Sequence, residues 1–399
     1  MAWSADALPE PTSALAPFVE AGVFDAYEVN LVATVARLQP GLDHDVALAL
    51  ALAARAPRSG HVCTGLDTET VERVAGADDL SAAPLPWPDP ESWERSVRDS
   101  PLVGDAHSGD RVPRPPLVWD LGRIYLQRLW KDELEVAGEL WRRSHEDAGD
   151  PRAAGARSGA GAGGTLQGGA DGVEQVLDLL FGPSGEGMGA SGGAQPDRQR
   201  RAAARALRHP VSVIAGGPGT GKTHTVARIL AAAHLLAGDG SRLSVAMAAP
   251  TGKAASRMSE AVAGAVGDLA GAGIIGEELA ARLLSNQAIT LHRLLGARGD
   301  ASYAYDRRRP LPHDLVIVDE TSMVSLPMLA RLVAALRPDA RLVLVGDPSQ
   351  LTSIEAGTVM SDVVGPEGHA DADAHPGQLA GKSAPLAGRV TVLERVHRY

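Results

Sequence analysis

Gly216-Gly217-Pro218-Gly219-Thr220-Gly221-Lys222-Thr223 is the stretch that most constrains how this chain can fold. It follows the β-branched run Val211–Ala215 and opens a helical segment at Lys222. Glycines let a loop adopt positive φ and turn successive N–H groups onto an anion, and a helix N-terminus aimed at the same point adds its dipole. The spacing G-x-x-x-x-G-K-T is that of a phosphate-binding loop. In it Gly216, Gly217, Gly219, Thr220 and Gly221 shape the cradle, and Lys222 reaches the β- and γ-phosphates. Thr223 offers its hydroxyl to Mg²⁺. The chain uses only four Lys against 34 Arg, yet Lys222 and Lys253 both fall in candidate phosphate-contacting motifs. That fits a need for a compact ammonium charge.

Such a loop needs a partner acid for the metal and for water. Leu315–Val318 is an apolar strand that ends in Asp319-Glu320, placing two carboxylates at the C-terminal edge of a sheet, where open α/β folds bind ligands. Asp319 is the expected Mg²⁺ ligand and Glu320 the expected base for the attacking water. Leu243–Ala249 and Leu342–Val345 read as further strands, and Leu326–Leu336 as a helix. The rhythm from residue 196 onward predicts an α/β fold with a parallel sheet.

The first half reads differently. Residues 12–56 are Ala-rich and helical, broken at Pro40-Gly41. Residues 84–116 are Pro-rich and read as irregular surface structure. Leu121, Ile124, Tyr125 and Leu129 form an i, i+3, i+4, i+8 stripe that predicts an amphipathic helix over 117–145, with Tyr125 and Trp130 as core or partner contacts. Residues 148–172 and 182–194 are Gly/Ala-rich and behave as linker, with two helical turns at Val173–Phe181 between them. The expected domains are therefore 1–147, mostly helical; 148–195, a linker with a short helix; and 196–399, the P-loop NTPase domain. Residues 365–388 read as a solvated loop, its His369, Asp371, Asp373 and His375 lacking the second ligand cluster a metal site needs.

Composition bears on partners. The net charge is −11, but residues 1–194 hold 15 Lys and Arg against 30 Asp and Glu, while residues 195–399 hold 23 against 19. The overall acidity therefore does not argue against nucleic acid for the second half. All six Trp lie in the first 141 residues; after residue 195 the aromatics are three Tyr. Extensive base stacking is excluded there, which points to gripping a strand by its backbone. The single cysteine, Cys63, excludes an intramolecular disulfide and fits a reducing, cytoplasmic setting. The N-terminus lacks the pattern of a secretory signal, and no apolar run is long enough to span a membrane.

Further motifs follow in order. Gln199 precedes the P-loop. Ala249-Pro250-Thr251-Gly252-Lys253-Ala254-Ala255-Ser256-Arg257-Met258 follows the second strand. Then come Thr290-Leu291-His292-Arg293-Leu294-Leu295-Gly296, Asp319-Glu320-Thr321-Ser322-Met323, Gly346-Asp347-Pro348-Ser349-Gln350-Leu351, and Val392 to Tyr399 with Arg398. In this order and form they resemble the RecD-like superfamily-1 DNA helicases, alpha subunits of exodeoxyribonuclease V. More weakly, Gly60–Cys63 and Pro116–Trp130 are similar to that family's N-terminal helical domain.

The resemblance implies a RecA-like motor domain using ATP and Mg²⁺, with Gln199 reading adenine, Gln350 sensing the γ-phosphate and Arg398 clamping it. It implies that Thr251, Lys253, Ser256, Arg257 and Thr290 contact DNA; His292 reads either as a DNA contact or as a buried structural histidine. It further implies 5′-to-3′ travel on single-stranded and duplex-end DNA, RecB-type and RecC-type partner subunits with docking through the N-terminal domain, and a role in double-strand break repair and recombination. A stand-alone RecD-like helicase and a non-catalytic docking subunit are the alternatives. The chain stops at Tyr399 inside the sixth motif, so the second RecA-like domain of the family is expected to be absent and the isolated chain to hydrolyse ATP poorly.

Overall fold

A computed structural model describes residues 12–75, 85–108, 115–145, 170–183, 198–238, 243–299, 302–350, 359–364, 386 and 388–393. Outside them lie Arg398 and the rest of the sixth motif beyond Leu393, most of the Gly/Ala-rich flanks, and the His369–His375 loop. Of the described residues, those up to Leu134 with Ser325–Pro327 form one compact unit, and the others from Glu135 onward form a second.

The first unit is built around helix α3, His44–Arg55, following α1, Ala16–Glu20, and α2, Ala26–Leu38. Residues Val46 to Ala54 of α3 are all buried. A helix that is apolar on every side must be enclosed by its neighbours. Helix α2 starts at a capping box, in which Asp25 accepts from Tyr27 N and Glu28 accepts from Asp25 N at 2.9 Å. The fully buried Glu28 also meets Arg58 at 3.2 Å.

Two sequence expectations are corrected in this unit. The Pro-rich stretch contains helix α5, Pro90–Arg98, which comes after α4, Thr68–Ala75. Asp89 caps it and Pro90 occupies its first turn, where a missing N–H costs nothing. Its Trp93 is buried and donates from Nε1 to Asp45 O at 2.8 Å. The 117–145 stretch is not one helix. Strands β3, Leu117–Asp120, and β4, Arg123–Leu126, form a hairpin before helix α6, Gln127–His145. Leu121 and Gly122 both take positive φ, 46° and 77°, the conformation of a two-residue hairpin turn. Leu121 is accordingly 84% exposed instead of lying on a buried stripe. With β1, Cys63–Thr64, and β2, Val103–Asp105, the hairpin completes a sheet of order β1-β4-β3-β2. Its alternating side chains send Trp119 and Ile124 to the main core and Val118 and Tyr125 to the other face with Trp130. Tyr125 and Trp130 are thus core residues.

The second unit holds a six-stranded sheet in which every pairing is parallel. Its strands are β5, Val211–Gly216; β6, Val245–Ala249; β7, Ile289–Thr290; β8, Leu315–Val318; β9, Arg341–Gly346; and β10, Val390–Leu393. Their order is β10-β5-β9-β8-β6-β7. The four strands read from the sequence are present; β7 and β10 are additions. Helix α7, Ala170–Phe181, is longer than two turns and is more than a spacer. Its Val173, Leu177 and Leu180 lie in the same core as Leu207 of α8, Arg198–Arg208, and Leu230 of α9, Lys222–Ala237. Glu174 pairs with Arg200 and Arg208, and Arg228 donates to Leu180 O at 3.0 Å. Where the strands begin, the fully buried Arg143 of α6 donates to Ala340 O and Arg337 O, and Arg389 donates to Ser144 O at 2.6 Å. The end of α6 thereby belongs to this unit.

Candidate nucleotide and strand-binding site

The parallel sheet brings its strand ends to one edge. Register pairs Ala215 with Gly346 and Val318 with Leu344, so the loops after β5, β8 and β9 leave the sheet side by side. The first of them is the glycine loop. Gly219 and Gly221 take φ of 74° and 86°. A Cβ at Gly216 would lie 2.7 Å from Thr220 Oγ1 and 3.0 Å from Leu393 O, so only glycine fits there. Thr220 Oγ1 donates to Gly217 O at 2.9 Å and tightens the loop. The Lys222 ammonium donates to Gly216 O at 2.6 Å and to Gly217 O at 2.9 Å, arching back over the turn it follows. Thr223 stands half-buried in the first turn of α9. Gln199, on α8, donates from Nε2 to Thr220 O at 3.3 Å.

The carboxylates follow β8. Asp319 Oδ1 accepts from Glu320 N at 2.9 Å. Burial pushes the Asp319 carboxyl above the usual carboxylate range, with the Glu320 charge adding to it; the Glu320 N–H and the charge of Lys222 oppose the rise. Glu320 has φ 51°, uncommon for a non-glycine residue. Thr321 Oγ1 donates to Val318 O at 3.1 Å and helps hold that turn.

The third loop carries a residue the sequence reading passed over. Asp347 is only 3% exposed, with Oδ1 accepting from Ser349 N at 3.0 Å and Ser349 Oγ at 2.6 Å. Its Oδ2 lies 4.0 Å from where a Cβ on Gly217 would stand. An acid directly after an apolar strand was the available signal, as it was for Asp319. Gln350 follows in an exposed turn, its N–H donating to Asp347 O at 3.2 Å.

The remaining candidates lie on the same edge, beyond β6 and β7. Ala249 pairs with Thr290, so the loops after these strands are neighbours. Thr251 caps α10, Gly252–Gly271, accepting from Ala254 N; Thr290 caps the short helix Leu291–Leu294, accepting from Arg293 N. A threonine that accepts through oxygen keeps its own O–H free to donate. Lys253, Ser256 and Arg257 are exposed on the first turns of α10. His292 is exposed, which removes the reading of it as a buried structural histidine. Tyr303 lies 6.3 Å from the His292 ring and Arg331 covers it at 4.8 Å; Arg309 covers Tyr305 at 5.4 Å. Among the described residues no helix is long and apolar enough to cross a membrane.

A phosphate loop and two strand-end carboxylates on a parallel sheet define a P-loop nucleotide-binding domain, here joined to a separate N-terminal domain. Residues 199–356 match the family model described as AAA domain, and residues 20–125 match that of the RecBCD enzyme subunit RecD, N-terminal domain. The chain is 42% identical over 362 residues to the RecBCD enzyme subunit RecD of Mycobacterium tuberculosis, covering 89% of this chain and 53% of that protein. It is 40% identical to the protein of the same description from Mycolicibacterium smegmatis, over 88% of this chain and 54% of that one. The ATP-dependent RecD2 DNA helicase of Deinococcus radiodurans is 33% identical over 46% of this chain and 23% of its own length. The chain is thus similar to RecD proteins along most of its length. It spans about half the length of these two RecD relatives.

Proposed function

We propose that this chain supplies the ATP-binding half of a RecD-like helicase motor that moves 5′ to 3′ on single-stranded DNA. In this reading it is a subunit of exodeoxyribonuclease V, working in double-strand break repair and recombination beside RecB-type and RecC-type chains. The observation that carries the reading is the shared edge of the sheet. Lys222, Asp319 and Gln350 leave it on one side, and Thr251, Lys253, Ser256, Arg257, Thr290 and His292 on the other, as a nucleotide-gated grip requires. The cradle fits a triphosphate: glycines fill the positions where a Cβ would collide, and one ammonium faces them. Thr223 and Asp319 would hold Mg²⁺, which would neutralise the charge on the phosphoryl group that ATP supplies.

The chain's own residues do the rest. Lys222 exchanges two carbonyl oxygens for phosphate oxygens. Glu320 accepts the proton of the attacking water. Gln350 meets the γ-phosphate, Arg398 clamps it, and Gln199 reads the adenine edge. Thr251 and Thr290 donate to backbone phosphates while Lys253 and Arg257 add charge. The RecD-type N-terminal match supports working within a complex. The RecD2 relative, at lower coverage, supports the second reading, a helicase acting without partners.

The grip is tested by fluorescence anisotropy with labelled oligo(dT) across a salt series. Replacing Lys253 and Arg257 with Ala should lower the slope of log K against log salt by roughly 1.4, as loss of two single-strand phosphate contacts implies. Nucleotide affinity should not change. An unaltered slope would remove this face from the DNA interface.

A further inference from the structure

Ser322 is buried, at 6% exposure, in the turn that follows Asp319-Glu320. Its Oγ is enclosed and has no hydrogen-bond partner among the described residues. A buried hydroxyl without a partner is costly, so one kept beside a reaction centre calls for an explanation. The backbone around it is just as confined. A Cβ on Gly346 would lie 3.1 Å from Thr321 N, 3.2 Å from Ser322 N and 3.1 Å from Met360 Sδ. The turn after β8 and the end of β9 are therefore in direct contact, with nothing between them. Gly346 leads into Asp347, whose Oδ2 faces Gly217 of the phosphate loop, and then into Gln350. Glu320 holds the other side of the turn in a left-handed conformation.

From this juxtaposition we propose that Ser322 is a positioning residue linking the Asp319-Glu320 turn to the Gly346–Gln350 turn. Its hydroxyl makes its hydrogen bond when a γ-phosphate draws the second turn toward the phosphate loop. The inference rests on the nucleotide-site reading above and adds to it a device for telling triphosphate from diphosphate. The second turn cannot move without sliding across Ser322, because Gly346 packs on its backbone. A side chain that gains a bond only in the moved arrangement favours that arrangement. Diphosphate, lacking the group that meets Gln350, leaves the bond unmade.

The test is displacement of a fluorescent nucleotide from the full chain by Mg²⁺-ADP and by a Mg²⁺-bound non-hydrolysable ATP analogue. Ser322→Ala should leave ADP affinity within about twofold and weaken the triphosphate about fivefold, the worth of one neutral hydrogen bond. Ser322→Cys, similar in size with a weak donor, should recover part of the difference. The melting temperature of Ser322→Ala should not fall, since the change deletes an unpaired group. An unchanged triphosphate-to-diphosphate ratio would overturn the proposal. So would an equal loss for both nucleotides with a lowered melting temperature, which is the mark of a purely structural serine. If Lys222→Ala binds both nucleotides as tightly as the unaltered chain, the nucleotide-site reading itself falls, and this inference with it.

Discussion

The side-chain amide of Gln199 rests against Gly221, its Nε2 donating to the preceding carbonyl, Thr220 O, at 3.3 Å. A Cβ on Gly221 would overlap that nitrogen, and Gly221 also has φ 86°. Gly221→Ala therefore carries left-handed strain of about 1 kcal/mol and pushes the flexible Gln199 amide away from Thr220 O. The expected outcome is at least a tenfold loss of ATP affinity, measured by calorimetry, with the far-ultraviolet dichroism of the chain retained. Gln199→Ala, which removes the amide without straining the loop, should instead narrow the preference for ATP over GTP.

Acid should loosen the second unit through two histidines. His234 and His313 both have pKa values lowered, in each case chiefly by burial. The unfolded chain binds protons at these sites as pH falls through the ordinary histidine range near 6.5, and the folded chain does not. Their contribution to stability is thus present above that range and lost as pH falls from about 6.5 toward their depressed folded values. Melting curves between pH 7.5 and 5.5 should show a falling midpoint, and His234→Gln should flatten part of the decline. A midpoint that rose on acidification would contradict this.

The second unit was largely legible because its strands are buried on both faces. Leu315–Val318 reads as one apolar run with acids behind it, and the phosphate loop fixes what precedes and follows. The two-residue strand β7 is too short to show a period, and β10 follows a long polar stretch. The α7 helix was visible, but its role was not: Val173, Leu177 and Leu180 at i, i+4 and i+7 mark a core-facing stripe that the glycine-rich flanks obscured. The hairpin at 117–126 was missed for a different reason. Its apolar residues satisfy a helical spacing as well as alternation, and Leu121-Gly122 carries a turn signal only through Gly122. Asp347 and Ser322 lay inside recognised motifs, but burial and an unpartnered hydroxyl are properties of the packed structure.

That same turn offers a stability test. Leu121 holds φ 46° while 84% exposed, so it bears left-handed strain with no burial in return. Asn tolerates this conformation and is favoured before Gly in such turns. Leu121→Asn should raise the melting temperature, with a gain of roughly 1 kcal/mol. A fall in midpoint would mean that the Leu121 side chain makes contacts that outweigh the strain.

The central claim is that the Gly216–Thr223 loop and its lysine form an ATP site. The direct measurement is titration calorimetry of Mg²⁺-ATP into the full chain and into Lys222→Ala. The expected result is a single saturable site in the unaltered chain, weakened at least tenfold by the substitution, with both proteins melting at similar temperatures. Equal binding by the two proteins, or no saturable binding by the unaltered chain, would contradict the assignment.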